Sequence, residues 1–228
     1  MHTDLLMYLA ILILPIMASL GVKMTFNKYK NTPNARNLTA ERVARLILDI
    51  NGLQNIRIER IHGELTDHFS PRENVVRLSD STYGKTSIAA IGVAAHECGH
   101  ACQHAQNYVP IKIRTAIVPV TNICSRLWYL AFFLGMFIFD AFPQLLYIGI
   151  AMFGAVVLFQ LATLPVELNA SKRAIETLRN NNILLADELP KAKRVLTAAA
   201  MTYVIALVTS ILQFMRLLAR AQSRNNRR

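Results

Sequence analysis

The chain has 228 residues, 53% of them hydrophobic, and 25 Lys and Arg against 14 Asp and Glu for a net charge of +11, with a mean hydropathy of +0.31. This is too apolar for an ordinary soluble domain, so lipid is the expected solvent for part of it. The positive charge is not interleaved with aromatics and carries no nucleic-acid motif, which argues against a nucleic-acid partner, and Cys98, Cys102 and Cys124 make neither a CxxC pair nor an even disulfide framework.

Residues 5–22 are uncharged and interrupted once, by Pro15, which is the length of one helical crossing. No Lys or Arg precedes them and Lys23 follows, the pattern of an uncleaved anchor rather than a signal peptide. After a polar linker, residues 36–106 read as a small α+β segment. Val43, Leu46, Ile47 and Ile50 recur at helical spacing, with Thr39 as N-cap and Gly52 as stop. Ile56, Ile58 and Ile61 suggest a short strand. A turn-rich stretch with surface histidines His62 and His68 then leads to residues 74–78, which read as an edge strand able to take an extended substrate by strand addition.

Residues 87–106 form a helix of small residues whose middle is His96-Glu97-Cys98-Gly99-His100, an HExxH pattern. Residues four apart share a helical face, so both imidazoles can reach one Zn²⁺ while Glu97 reaches a metal-bound water as general base. A charged Glu on a mostly apolar helix is costly without a function. The Cys98 side chain points away from both histidines and reads as packing. A catalytic zinc needs a third protein ligand and an open position. His104 continues the same face but stands about 12 Å along the axis from His96, too far for one ion, and Gln106 occupies the metzincin position. An acidic residue on another helix remains.

Residues 117–166 read as a tight membrane hairpin turning at Asp140 and Pro143. Glu167 then stands where the hairpin returns, either as the third ligand or as a solvated helix-start carboxylate after Pro165. Residues 167–194 form the third-ligand helix and loop, 195–215 a fourth membrane or interfacial helix, and 216–228 a basic tail. Thirteen Lys and Arg lie between Lys23 and Arg114 and six between Glu167 and Arg194, with none before Leu5 or in the hairpin turn. The two basic loops and the active site are therefore expected on the cytoplasmic side. A fully spanning fourth helix would then place the arginine tail outside, against that rule.

The order of apolar anchor, α+β segment, HExGH helix, membrane hairpin and Pro-Val-Glu followed by Ala-Ser-Lys-Arg-Ala resembles the YugP-type membrane zinc metallopeptidase family, a gluzincin-like group distantly similar to the HtpX peptidases. The resemblance covers nearly the whole chain. It implies that His96, His100 and Glu167 are the zinc ligands and Glu97 the base. The family pattern has Asp two residues after the third ligand; Asn169 stands there instead, which implies a neutral amide in place of a carboxylate that orients a ligand.

The expected protein is thus a mainly α membrane protein, a single domain over 1–228 with three to four transmembrane helices and a zincin-like α+β subdomain carrying the HExxH helix. Its expected activity is hydrolysis of peptides or membrane proteins, with one zinc per chain and membrane lipid around it. His104, Tyr83 and Arg173 are candidates to stabilise the oxyanion. The alternative is a zinc-binding scaffold that cuts nothing. A transporter would show an internal repeat, which is missing. Oligomeric state is not legible.

Overall fold

Long uncharged runs have few ways to satisfy their backbone in lipid, and helices are the ones this chain uses. The computed structural model describes residues 2–139 and 141–226, without the side chains of residues 2–4. Asp140 in the hairpin turn and Arg227 and Arg228 in the tail lie outside the described residues. The elements are α1 (His2–Tyr29), α2 (Ala40–Ile50), β1 (Arg57–Ile61), β2 (His68–Ser70), β3 (Val75–Ser79), α3 (Ile88–Ala105), α4 (Val109–Phe137), α5 (Pro143–Asn180) and α6 (Leu189–Asn225). Among the described residues, α1, α4, α5 and α6 are long and apolar enough to cross a membrane.

These helices are longer than the sequence suggests. The first continues beyond Val22 to Tyr29, the second begins at Val109, and α6 carries the basic tail to Asn225 in helical form. Pro165 lies inside α5, so Glu167 is a mid-helix residue and not a helix-start carboxylate. A proline removes one backbone hydrogen bond and clashes with the preceding turn. The apolar run before it and the buried residues after it keep the helix going.

The chain forms two compact units. One comprises Met1–Met17, Lys112–Leu164 and Tyr203–Arg228. Its core holds Phe132, Phe139, Leu146, Ile150, Phe153, Leu217 and Ala221. A Cβ on Gly135 would collide with the backbone of Leu146, and one on Gly149 with that of Phe132, so α4 and α5 meet backbone to backbone as the expected hairpin. At one end of this unit Arg216 stacks over the Tyr8 ring at 3.4 Å, Arg220 donates to the Tyr8 hydroxyl, and Arg224 lies 5.2 Å over Phe139. The start of α1, the end of α4 and the end of α6 therefore share one end of the bundle.

The other unit comprises Ala18–Ile111 and Pro165–Thr202. Its core joins Val43, Ala44, Ile47 and Leu48 of α2, Val76 and Leu78 of β3, Ile88, Ile91 and Ala94 of α3, Ala174 and Leu178 of α5, and Ala192 and Leu196 of α6. Helix α3 is capped by Ser87, whose hydroxyl accepts from the Ala90 amide. Thr39 stands at the N-cap of α2 but its hydroxyl makes no capping bond. The first amide of α2 instead donates to the Lys85 carbonyl at 2.9 Å. Gly52 ends α2 with φ +72°, as expected of a helix stop.

The sheet has the order β1-β3-β2, with β1 parallel and β2 antiparallel to β3. β3 is thus the central strand, not the expected edge, and cannot accept a further strand. Val75, Val76 and Leu78 are apolar on both faces, the mark of a strand buried on both sides. The edges are β1 and β2, and β2 lies within the stretch read as turn, where His68 and Ser70 hide a three-residue strand. Asp80 closes the sheet end by accepting from the Gly63 amide at 3.1 Å and Arg60 at 2.7 Å and by meeting His62 Nδ1 at 3.0 Å. The Gly63 bond, then Arg60 and His62, hold its pKa down at about 2.

In this unit α3 and α5 approach at Gly99, where a Cβ would stand 2.7 Å from the Ala170 carbonyl oxygen. Gly99→Ala must push the two backbones apart. It is expected to destabilise the protein by about 1–3 kcal/mol, seen as a lower thermal unfolding midpoint in detergent; an unchanged midpoint would show that the contact has slack.

Candidate metal centre

The spacing that puts His96 and His100 one turn apart on α3 has its counterpart on α5. His96, Gly99, His100 and Gln103 form one stripe, and Glu167, Ala170, Ser171 and Ala174 form the facing one, both at i, i+3, i+4, i+7. The Glu167 Oε2 atom lies 3.3 Å from His96 Nε2 and 3.4 Å from His100 Nε2. The imidazole rings stand edge to face with centroids 4.7 Å apart. Both histidine side chains are largely covered and Glu167 is 3% exposed.

The hydrogen bonds fix the proton of His100. Gln103, fully buried, donates from Nε2 to the Val166 carbonyl at 2.8 Å and to Asn169 Oδ1 at 3.0 Å. Its Oε1 is thereby left to accept from His100 Nδ1 at 3.0 Å. Asn169 Oδ1 also accepts from Arg173 Nε at 2.7 Å, and Arg173 donates further to Gln106 Oε1 at 2.6 Å. Ser171 Oγ lies 3.1 Å from His96 Nδ1, placed to accept its N–H. The His100 Nε2 lone pair therefore faces the carboxylate, and that of His96 does so when its Nδ1 donates to Ser171.

The Glu167 oxygen stands 3.3–3.4 Å from both lone pairs and the three atoms lie within 4.8 Å of one another, so they repel unless a cation lies among them. Ligand atoms about 2.0–2.1 Å from a tetrahedral zinc ion lie about 3.3–3.4 Å from each other, so the residues fit that group. His96, His100 and Glu167 are the metal-capable cluster among the described residues. Burial disfavours the charged form of His100, but Glu167 and Glu97 outweigh it and raise the pKa above the usual imidazole value, so protons compete with a metal for this nitrogen.

Glu97 follows His96 on α3 and is 8% exposed. Asn169 and Arg173 enter the network behind His100. His104 is exposed and stands edge-on to Phe69 of β2 at 6.0 Å, while Tyr83 packs against the core. Among the described residues, neither makes a hydrogen bond, ion pair or ring contact with the three clustered side chains. Cys98 donates to the Ala44 carbonyl at 3.6 Å, and burial pushes its thiol well up, so it is inert packing as expected. Gln103 and Ser171 were not singled out in the sequence. Their only signal is position: Gln103 lies one turn beyond His100, and Ser171 one turn beyond Glu167.

A family described as "Putative neutral zinc metallopeptidase" matches residues 4–222. The chain is 42% identical over 208 residues to the "Putative membrane protease YugP" of Bacillus subtilis (strain 168), across 91% of this chain and 92% of that protein. No solved structure matches the chain.

The network makes a specific demand on Asn169, since only its oxygen is used. Asn169→Leu is expected to weaken zinc binding about 10–100-fold, while Asn169→Asp, which keeps the acceptor, holds affinity within a few-fold. Competition with a chromophoric chelator measures both; equal losses in the two variants would show that the acceptor plays no part.

Proposed function

The chain belongs to the neutral zinc metallopeptidase family, and from that premise we propose that it is a membrane endopeptidase whose zinc is held by His96, His100 and Glu167, with Glu97 as general base. The observation that carries this reading is the convergence of two Nε2 lone pairs and one carboxylate oxygen from two helices, with Glu97 adjoining on the same helix. In a site of this donor set zinc supplies polarisation of the scissile carbonyl and a more acidic water. Glu97 takes the proton of the attacking water and returns it to the leaving amine. Ser171 and Gln103 keep the two imidazoles in the tautomer that leaves Nε2 free. The buried surroundings of Glu97 and Glu167 limit competing water and strengthen each charge interaction.

Substrate is read as an extended peptide or membrane-protein segment. Of the two edge strands, each hydrogen-bonded to β3 on one side only, β2 is the one read as taking such a strand, because its Phe69 stands beside His104 of α3. The excess of Lys and Arg in the two loops supports a cytoplasmic site.

The scaffold reading, zinc without cleavage, is opposed by two features. A structural zinc site closes its fourth position with protein, whereas three residues cluster here among the described residues. A structural site also has no use for Glu97.

Glu97→Gln is expected to retain zinc and lose about 10²–10⁴ of the cleavage rate, whereas Glu167→Ala loses the zinc itself. Metal content per chain and cleavage of an unfolded casein in detergent would separate these. Wild type with full zinc and no chelator-sensitive cleavage would leave the scaffold standing.

A further inference from the structure

Within the unit that carries the candidate metal centre, the last turn of α1 and the first turns of α6 enclose a groove of about 560 Å³. Lys28 enters it from α1, and Lys193 and Arg194 from α6, with Thr25, Tyr29 and Thr197 between them. No carboxylate lines it. The nearest acidic residues in sequence are committed elsewhere. Asp187 pairs with Lys191 at 3.4 Å, and buried Glu188 accepts from the Ala35 amide at 2.7 Å and the Leu185 amide at 2.8 Å. Lys28, Lys193 and Arg194 pair with no carboxylate among the described residues.

Three uncompensated cations converging on one groove repel each other, so the arrangement favours an anion. Two are also held in place. Arg194 donates to the Tyr29 hydroxyl at 3.1 Å, and Lys28 lies 5.7 Å over the same ring. Tyr29 itself is buried at 7% exposure, so the platform is rigid. The groove also opens at the N-terminal turn of α6, whose dipole favours negative charge. Its depth along the chain identifies the anion's source. Tyr29 closes the apolar span Leu5–Tyr29, and Leu20 and Met24 on the same helix expose apolar surface. A Tyr and basic residues at the end of a span sit at headgroup level.

The geometry points to a binding site for the phosphate of an anionic membrane phospholipid, with the lysines and Arg194 on the headgroup and the acyl chain along the exposed face of α1. The bound phosphate bridges α1 to α6. This site is independent of the metal ligands and of the proteolytic reading.

The full chain in neutral detergent can be titrated with short-chain phosphatidylglycerol, short-chain phosphatidylcholine or inorganic phosphate, with bound species read by native mass spectrometry. Phosphatidylglycerol should be retained over phosphatidylcholine. Lys28→Gln/Lys193→Gln should weaken it about thirtyfold, each lysine giving roughly a fivefold factor. Lys28→Arg/Lys193→Arg should restore it, and unchanged zinc content in both variants shows that the fold survives. Equal retention of the two lipids, or equal affinity in wild type and the glutamine variant, would overturn the site. Displacement by millimolar inorganic phosphate would overturn the lipid as its source.

Discussion

Where Gly99 of α3 meets the carbonyl of Ala170 on α5, the helices come as close as backbones allow, and a Cβ would stand 2.7 Å from that oxygen. The pairs around this point run in opposite directions along the two helices: His96 meets Ser171, both histidines meet Glu167, and Gln103 meets Val166 and Asn169. One close contact thus sets three metal-capable atoms and two orienting groups in register. With a larger residue at position 99 the helices would separate by a side chain's thickness, and Glu167 could not reach both imidazoles. The small residues that look like filler in the sequence are what permit the chemistry.

The electrostatics of the centre follow from using neutral groups to orient the histidines. A carboxylate behind His100 would make the imidazole more basic and add a third buried anion beside Glu97 and Glu167, at a desolvation cost. Here the partner is the amide of Gln103, its own donors satisfied by Val166 and Asn169, with Arg173 closing the chain at the periphery. The centre therefore holds Glu97 and Glu167 as its two anions, and a divalent cation would balance them. This also accounts for the departure at Asn169. An acceptor is all that position supplies, because both of its contacts come from donors.

Sequence patterns carry most of this where a residue has one physical option. HExxH on a run of small residues over 87–106, and helical spacing with the Gly52 stop, place α3 and α2 within a residue of their observed bounds. The membrane helices are legible as apolar runs but not in extent, since a run of hydropathy ends at Lys23 or Pro165 whereas the backbone's need for hydrogen bonds does not. β2 and the centrality of β3 escaped because a three-residue strand with His and Ser has no periodicity, and two adjacent valines fit an edge or a centre. Gln103 and Ser171 are silent for a different reason. An amide or hydroxyl one turn from a ligand has many uses, and only the facing helix decides which.

The arginine tail tests how far a charge count can set topology. Because Arg216 and Arg220 hold Tyr8 near the start of α1, α6 ends at the end of the bundle where α1 begins. With the end of α4 and the start of α5 at that end too, the parts of α1, α4, α5 and α6 in this unit alternate in direction. If the basic loops face the cytoplasm, as the count of Lys and Arg proposes, the tail's arginines run against the positive-inside count. That rule weighs charges near the ends of spans as free loop residues, and the first helix usually dominates it. Arg216, Arg220 and Arg224 are spaced by four on a continuing helix, two of them engaged with Tyr8 and the third over Phe139, so they act as packed side chains of the bundle with long apolar stems. Charges spent on holding α1 to α6 give little opposition to the orientation proposed from the basic loops.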